Sequence, residues 1–389
     1  MKRLVVLLLC LGLGLPAASY PAAPSAPARD DGWALELGPD ATFFPSLAVA
    51  TAGLRLDTGP DPRELGDVNG LLGVSVVAPR DGAKAQVEIA SASGLVAPSS
   101  ISVSLPRKGV RYAVYPYIKY NADQMVLIRQ PFAEAVTGKL SLDGVPQGEK
   151  TGRVTVRSIN DCVYGYDEDG RFNDTSWLFA AYVNENHPAV EAILKEALAT
   201  GQVDSIAGYQ GDADDVRDEV EAVWTALARR RIRYSSIKTA SAESPDIWSQ
   251  HVRLLGEALA ARQANCVEGA CLLASVFTKM GLNASLVNLP DHMLVAVDLD
   301  EDGDEDLYLE TTLLGDSDSS FDDAAEEGEK IHKQYKARLK ADPRIRWRDK
   351  RPRKKGGPDE VGLINIQTAR EIGILPIREP GADRARFRP

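Results

Sequence analysis

The sequence predicts an α+β protein with two folded parts: an antiparallel β-sandwich, then helices packed on a small antiparallel sheet. Three observations predict this. The chain has 389 residues, enough for two ordinary domains. Short runs rich in Val, Ile and Tyr dominate residues 31–160, whereas apolar residues recur at helical spacing from about residue 175. Three strand-like runs follow the helices, so in the second part helices and strands are segregated along the chain rather than alternating.

The first residues have the pattern of an export signal. Lys2 and Arg3 precede the apolar run "LVVLLLCLGLGL", which is too short to span a bilayer. Small residues at positions 17–19 fit a cleavage site. We therefore predict a signal peptide at 1–19 and a linker rich in Pro and Ala at 20–30. The protein is expected to be exported to the periplasm or the extracellular space, without a transmembrane segment.

Charge and cysteine content limit the partners and the architecture. The formal net charge is -11, so the chain as a whole would repel nucleic acid, and no nucleic-acid partner is predicted. Cys10 lies in the predicted signal, which leaves Cys162, Cys266 and Cys271 in the exported chain. Because this number is odd, the sequence does not predict a framework of disulfides. Nothing in the sequence indicates an organic cofactor or an oligomeric state.

The first domain, at 31–160, is predicted from short strands separated by Gly, Pro and Asp. The predicted strands are "LLGVSVVAP", "AQVEIAS", "ISVSL", "RYAVYPYI", "QMVLIRQP" and "GRVTVRSI". This spacing of short strands and turns is typical of an antiparallel sandwich. The segment contains no catalytic motif, so a role in binding, positioning or packing is expected.

The second domain, at 161–340, begins with four predicted helices. They are "HPAVEAILKEALATG", "DADDVRDEVEAVWTALARRRI", "SPDIWSQHVRLLGEALAARQ" and "NCVEGACLLASVFTKMG". The strands "ASLVNL", "HMLVAVDL" and "DLYLETT" follow, and then the charged helix "AAEEGEKIHKQYKARLKA".

The last segment, at 341–389, is predicted to be a basic tail. Its run "RIRWRDKRPRKK" is interpreted as a solvated segment, with contact to an anionic wall or lipid surface as the alternative. The later stretch "VGLINIQTAREIGILPI" is apolar enough to pack back on the domain.

Cys266 is predicted to lie in the first turn of its helix. Asn265 is a good N-cap, and Glu268 completes the pattern of a capping box. The unpaired N–H groups and the helix dipole at this end favour a thiolate and can stabilise an oxyanion. Cys271, five residues later, is too far round the helix to be its disulfide partner and is expected to be buried.

A nucleophilic thiol needs a base, and the base needs a group that orients it. His292 opens one predicted strand, and Glu310 falls near the end of the next. In an antiparallel hairpin, the start of one strand lies beside the end of the other. The sequence therefore predicts that Glu310 lies near His292, where it can hold the imidazole in the required tautomer.

The runs "NCVEGACLLASVFTKMGLNASLV", "DHMLVAVDL" and "YLETT" resemble the transglutaminase-like superfamily of papain-like cysteine enzymes. The chain resembles the exported bacterial members over roughly residues 175–315. This resemblance implies that Cys266 is the nucleophile, His292 the base and Glu310 the orienting acid. The superfamily mostly has Asp at the position of Glu310 and often an aromatic residue at that of Leu294, so this chain departs from its usual pattern at both.

The resemblance implies a thiol hydrolase or acyltransferase that acts on an amide in a protein, a peptide or a cell-wall peptide. Backbone N–H groups at the helix start, with the side chain of Asn265, are the candidate oxyanion donors. Gln263 is a further candidate donor or a surface residue. Two alternatives stay open. One is a catalytically inactive binding or scaffold protein of the cell envelope, and the other is a calcium-dependent adhesion protein that binds through its sandwich.

The run "DLDEDGDEDLYLE" carries a second candidate site. Hard oxygen ligands at alternating positions, with a glycine for the turn, are typical of Ca²⁺ loops. The candidate ligands are Asp298, Asp300, Asp302 and Asp306, with the backbone carbonyl of Asp304. Leu309 at the twelfth position argues against an EF-hand, so we predict a structural Ca²⁺ loop at a hairpin tip. A solvated acidic turn is the alternative.

Overall fold

The computed structural model describes residues 32–54, 62–67, 69–168, 171–235, 244–289, 292–341 and 362–380. The predicted signal peptide, the linker and the basic run lie outside these residues. Within them the fold is a mixture of helices and strands, as predicted. None of the helices in the described ranges is both long and apolar enough to cross a membrane.

The first part of the chain is built almost entirely from strands. They are β1 (Trp33–Glu36), β2 (Thr42–Phe43), β3 (Glu64–Gly66), β4 (Gly73–Val77), β5 (Ala83–Ser91), β6 (Val96–Ala97), β7 (Ser99–Leu105), β8 (Arg111–Tyr115), β9 (Lys119–Tyr120), β10 (Phe132–Leu142) and β11 (Val145–Val156). Two short helices, α1 (Pro45–Ala50) and α2 (Ala122–Met125), interrupt them, and a 3₁₀ helix covers Pro39–Ala41.

These strands form a sheet in the order β1-β4-β8-β3 and a second in the order β2-β11-β10-β5-β7, with β6 paired to β9. Most pairs are antiparallel, but β3 runs parallel to β8, and β2 runs parallel to β11. Alternate side chains of β5 are buried, and residues of both sheets, including Val74 and Val87, share one apolar cluster. The turn between β10 and β11 is Asp143–Gly144, with φ of 49° and 83°, as a two-residue hairpin loop requires.

One predicted strand of this part is wrong. The run "QMVLIRQP" begins inside α2 rather than in a strand. The side-chain oxygen of Asn121 accepts the N–H of Gln124 and caps this helix, while Met125 is fully buried. The helix cap and the burial of Met125 favour a helical turn over the strand that the apolar residues of this run predict.

The second part contains longer helices and shorter sheets. Its strands are β12 (Asp161–Glu168), β13 (Arg171–Asp174), β14 (Arg233–Tyr234), β15 (Ile247–His251), β16 (Gln263–Ala264), β17 (Ala284–Asn288), β18 (Met293–Asp298), β19 (Asp306–Leu309) and β20 (Leu363–Asn365). Its helices are α3 (Pro188–Leu198), α4 (Ala213–Arg229), α5 (Leu255–Ala261), α6 (Cys266–Lys279), α7 (Phe321–Ala341) and α8 (Ile366–Glu371). 3₁₀ helices cover Ser176–Tyr182, Gly208–Gln210 and Thr311–Leu313.

The predicted helix "SPDIWSQHVRLLGEALAARQ" is wrong in its first half. Residues Ile247–His251 form β15, which pairs antiparallel with β12, and helix α5 begins only at Leu255. The N–H of Val252 donates to the carbonyl of Asn160 at 2.7 Å, which extends the pairing beyond the strand. Tertiary pairing with a strand about 90 residues away overrides the helical periodicity here.

Helix α6 packs on β17 and β18, in a sheet with the order β19-β18-β17-β20. The hairpin strands β17, β18 and β19 were predicted from the sequence and are confirmed. Strand β20 joins the far edge of this sheet, and the N–H of Ile377 donates to Ala181 at 2.8 Å. The end of the described chain therefore packs back on the second part, as expected from its apolar content.

Candidate functional site

Helix α6 begins at Cys266, so the thiol lies in the first turn as predicted. Asn265 has extended backbone angles, and its side-chain oxygen accepts the N–H of Glu268 at 2.9 Å. In return, the carboxylate of Glu268 accepts the N–H of Asn265 at 2.9 Å. This reciprocal capping box fixes the start of the helix. Cys266 is partly exposed, whereas the residues after it are buried.

The carboxylate of Glu268 also joins the helix to the preceding chain. It is only 3% exposed. One oxygen accepts the backbone N–H of Arg253 at 2.8 Å, and the other lies 3.1 Å from the guanidinium of the same residue. These bonds compensate the desolvation of the carboxylate and hold the N-terminus of α6 in place.

Cys271 behaves as a buried apolar residue, as predicted. Its sulfur lies 3.8 Å from the carbonyl oxygen of Phe179. Burial, with a smaller effect from the charge of Glu268, raises the pKa of this thiol well above its usual range. Cys162, Cys266 and Cys271 are free thiols in the described residues. Of the two thiols in α6, only Cys266 is therefore placed to react.

His292 and Glu310 meet at one end of the hairpin. Val295 of β18 pairs with Leu309 of β19, which brings the residue before β18 beside the residue after β19. The Nε2 atom of His292 lies 2.5 Å from a carboxylate oxygen of Glu310. The contact that the sequence predicts from hairpin geometry is thus present in the structure.

Several bonds hold the Glu310 carboxylate as an anion. The residue is 4% exposed, and its second oxygen accepts the N–H of Thr312 at 2.9 Å. Burial alone would raise the pKa of Glu310, but the hydrogen bonds from His292 and Thr312 lower it below its ordinary value. The carboxylate therefore stays charged at neutral pH and can orient the imidazole.

The ring of His292 is hydrogen-bonded to Glu310, and the thiol of Cys266 lies close enough to the same ring to influence its pKa. Burial alone would lower the pKa of His292, but these two partners together raise it to about 10. Because Glu310 occupies Nε2, we assign Nδ1 as the ring atom that faces the thiol. The structure thus brings Cys266, His292 and Glu310 into one series of neighbouring side chains.

Tyr234 stands beside this series and was not predicted. It lies in β14, in parallel register with Ala264, two residues before the cysteine. The side chain is 47% exposed. Burial, with the charges of Cys266 and Glu310, raises the pKa of the phenol, so it keeps its proton at neutral pH. A strand of two residues shows no periodicity in the sequence. The signal for Tyr234 is instead the pairing of its strand with β16, which ends two residues before Cys266.

The remaining candidate donors lie next to the thiol. Asn265 uses its side-chain oxygen for the helix cap, so its amide nitrogen is the atom that can face a substrate. Gln263 is exposed in β16. Asn265 is partly exposed and Gln263 exposed, so both side chains can reach solvent next to the thiol.

The acidic run forms the loop between β18 and β19. Asp300 accepts the backbone N–H groups of Asp304 at 2.9 Å and Glu305 at 3.0 Å, so it caps the turn itself. Asp298 accepts the amide of Asn283, and burial, with the nearby Asp306, raises the pKa of Asp298 to about 6. Within the described ranges, no three acidic, His or Cys side chains converge in the geometry of a metal site. The Ca²⁺ loop remains a prediction.

Comparison of the chain with protein-family models and with curated proteins gives no match. The functional assignment therefore depends on the side chains of the site and on their geometry.

Proposed function

We propose that the chain is an exported thiol enzyme of the transglutaminase-like superfamily that acts on an amide. The observation that carries this proposal is the hydrogen-bonded pair of His292 and Glu310 beside the Cys266 thiol at the start of α6. A thiol, a base and an orienting acid in this order are the parts that nucleophilic acyl transfer requires. The substrate class is an amide of a protein, a peptide or a cell-wall peptide.

The architecture supports the same proposal. Two sheets that share one apolar cluster support a sandwich at 31–160. A helix that carries the thiol and packs on the β17–β18–β19 sheet supports a papain-like domain at 161–340. Export through a signal peptide remains part of the proposal, because residues 1–31 lie outside the described ranges.

Before the first step, the proton of the Cys266 thiol has already passed to Nδ1 of His292, and the thiolate sulfur then attacks the amide carbonyl carbon. A C–S bond forms while the carbonyl π electrons move to oxygen. The first-turn N–H groups and the amide of Asn265 are the donors placed for this oxyanion. The C–N bond then breaks, and His292 gives its proton to the leaving amine.

The second step releases the acyl group from the thioester. His292 takes a proton from water or from an incoming amine, which attacks the thioester carbon. The C–S bond breaks, and the sulfur leaves as a thiolate beside His292, which keeps the proton taken from the water or the amine. Water gives hydrolysis and an amine gives transfer, so the same three residues serve both reactions.

An activated ester tests this chemistry without knowledge of the substrate. We expect p-nitrophenyl acetate to place one acetyl group on Cys266 of the exported chain, detected by intact-mass and peptide mass spectrometry. Added glycine methyl ester should speed its removal if the enzyme is an acyltransferase. The Cys266→Ser variant should lose the labile acetyl group, whereas Cys271→Ser should keep it. Labelling that is equal at both cysteines, or absent, would favour the inactive scaffold protein.

We also propose that the loop at 298–306 takes a structural Ca²⁺ ion, with the carboxylates of Asp298, Asp300, Asp302 and Asp306 and the carbonyl of Asp304 as ligands. Carboxylates clustered in one short loop repel one another, and a cation would relieve this repulsion. The ion would stiffen the hairpin that joins His292 to Glu310.

Calcium is therefore expected to raise the Tm. At a concentration about 100 times its Kd, a ligand that binds only the folded state stabilises it by about 2.7 kcal/mol. Differential scanning fluorimetry with CaCl₂, MgCl₂ or EDTA measures the change. Asp300→Asn should abolish the calcium effect, and Asp316→Asn, outside the loop, should retain it. An unchanged Tm on addition of EDTA and then of CaCl₂ would refute the Ca²⁺ loop.

A further inference from the structure

Thr311 connects the acid of the site to the residue that carries the thiol. It follows Glu310 in the chain and is 4% exposed. Its hydroxyl donates to the backbone carbonyl of Cys266, with an oxygen–oxygen distance of 3.3 Å. The bond joins Cys266 to a segment 45 residues later in the chain. This segment also carries Glu310, so the bond bears on the distance between the thiol and the His292–Glu310 pair.

Gly269 makes this contact possible. A Cβ atom at this position would lie 2.8 Å from the hydroxyl oxygen of Thr311 and 3.0 Å from its Cβ atom. Any side chain there would force the side chain of Thr311 to move, because both contacts are shorter than an ordinary van der Waals distance. Because glycine weakens a helix relative to alanine, close approach is the physical reason for its presence in the first turn.

The segment around Thr311 is itself firmly held. The N–H of Glu310 donates to Ala324 at 3.0 Å, and the carboxylate of Glu310 accepts the N–H of Thr312 at 2.9 Å. Three consecutive residues therefore hold one carboxylate against His292 and one hydroxyl against Cys266. A shift of this segment would move the imidazole relative to the sulfur.

We infer that Thr311 is a positioning residue that sets the distance between the Cys266 thiol and the His292–Glu310 pair. This inference rests on the proposed function. The hydroxyl transfers no proton, because it faces a backbone carbonyl rather than a reacting group. Its effect comes from geometry, since a displacement of about 1 Å at a reacting centre can cost about a hundredfold in rate.

The test is the rate of Cys266 alkylation by iodoacetamide between pH 5 and pH 9 in the exported chain, read by peptide mass spectrometry. We expect Thr311→Val, which keeps the shape but loses the hydroxyl, to slow alkylation at pH 6 by about tenfold. The pH profile should move toward that of an ordinary thiol, with a midpoint of about 8.5. Thr311→Ser should restore the rate to within about twofold, and Gly269→Ala should act like Thr311→Val.

Thr175→Val is the matched control. Thr175 is also buried, and its hydroxyl donates to the carbonyl of Val163 at 2.8 Å. The Thr175→Val variant loses the same kind of bond at the start of the 3₁₀ helix Ser176–Tyr182, and this bond touches neither Cys266 nor the His292–Glu310 pair, so its alkylation profile should equal that of the wild type. Equal slowing in the Thr175 and Thr311 variants would show a general loss of packing and overturn the inference.

Two further outcomes separate the inference from the proposed function. If Thr311→Val keeps the wild-type profile while His292→Asn slows alkylation, the positioning role is wrong and the proposed function stands. If His292→Asn also leaves the profile unchanged, the proposed function fails and the inference fails with it.

Discussion

Replacing His292 with asparagine is expected to slow alkylation of Cys266 at pH 6 by about a hundredfold, the lower range of what a positioned acid–base group contributes. The imidazole of His292 lies beside Cys266 and Glu310, which raise its pKa to about 10, so it carries a proton at pH 6. An imidazolium beside the thiol stabilises the thiolate, which is the form that reacts. Asparagine fills much of the space but cannot carry the charge.

His251 offers a matched control for this experiment. Its Nδ1 atom lies 3.4 Å from a carboxylate oxygen of Asp161, so it is also a partly exposed histidine beside a buried carboxylate. The His251→Asn variant should keep the wild-type alkylation rate at Cys266. Both rates are measured by peptide mass spectrometry, with Cys271 as the internal unreactive thiol.

The result decides between the enzyme and the scaffold protein. If Cys266 of the wild type reacts no faster at pH 6 than an ordinary thiol, whose pKa is about 8.5, no paired thiolate exists. The fold would then serve binding in the cell envelope. If the rate falls in the His292→Asn variant but not in the His251→Asn control, the thiol and the imidazole form one unit and a screen of amide substrates is justified.

Local patterns were sufficient to predict the centre of the site. The capping residues Asn265 and Glu268 place Cys266 in the first turn, and this geometry depends on sequence neighbours alone. The meeting of His292 with Glu310 follows from an antiparallel hairpin, in which pairing is set by strands adjacent in sequence. Each of these predictions needed only local patterns.

Long-range contacts explain what could not be predicted. Strand β15 forms because it pairs with β12, and the sequence pattern around Trp248 does not indicate that partner. Tyr234 reaches the site through a pair of two-residue strands. No sequence pattern marks Thr311 as special, because its role depends on a contact with Gly269 that only the folded chain creates. In each case tertiary structure, rather than periodicity, gives the residue its role.

Replacing Glu310 with glutamine is expected to lower the Tm most strongly near pH 6 and much less near pH 10. The pKa of His292 is raised from 6.5 to about 10, so the stability from its charged form is fully present below about pH 6.5. That stability is lost as the pH rises toward 10. The pKa of Glu310 is lowered from 4.5, so its contribution is present above that value and is lost in acid.

The two contributions overlap between about pH 5 and pH 6.5, where the charged pair stabilises the fold most. A hydrogen bond to a charged group contributes about 1.5–3 kcal/mol, so the Tm should fall by several degrees there. The same substitution lowers the pKa of His292 and should slow Cys266 alkylation at pH 6, because a less basic imidazole holds less thiolate beside it.

Differential scanning fluorimetry from pH 5 to pH 10 measures the difference in Tm between the wild type and Glu310→Gln. Glu219→Gln is the control, because Glu219 is also buried and accepts two backbone N–H groups, at 2.6 and 3.1 Å. Its partners do not titrate in this range, so its Tm difference should stay constant. A difference for Glu310→Gln that is equally constant would show that the carboxylate acts as a structural cap for Thr312 rather than as the partner of a charged His292.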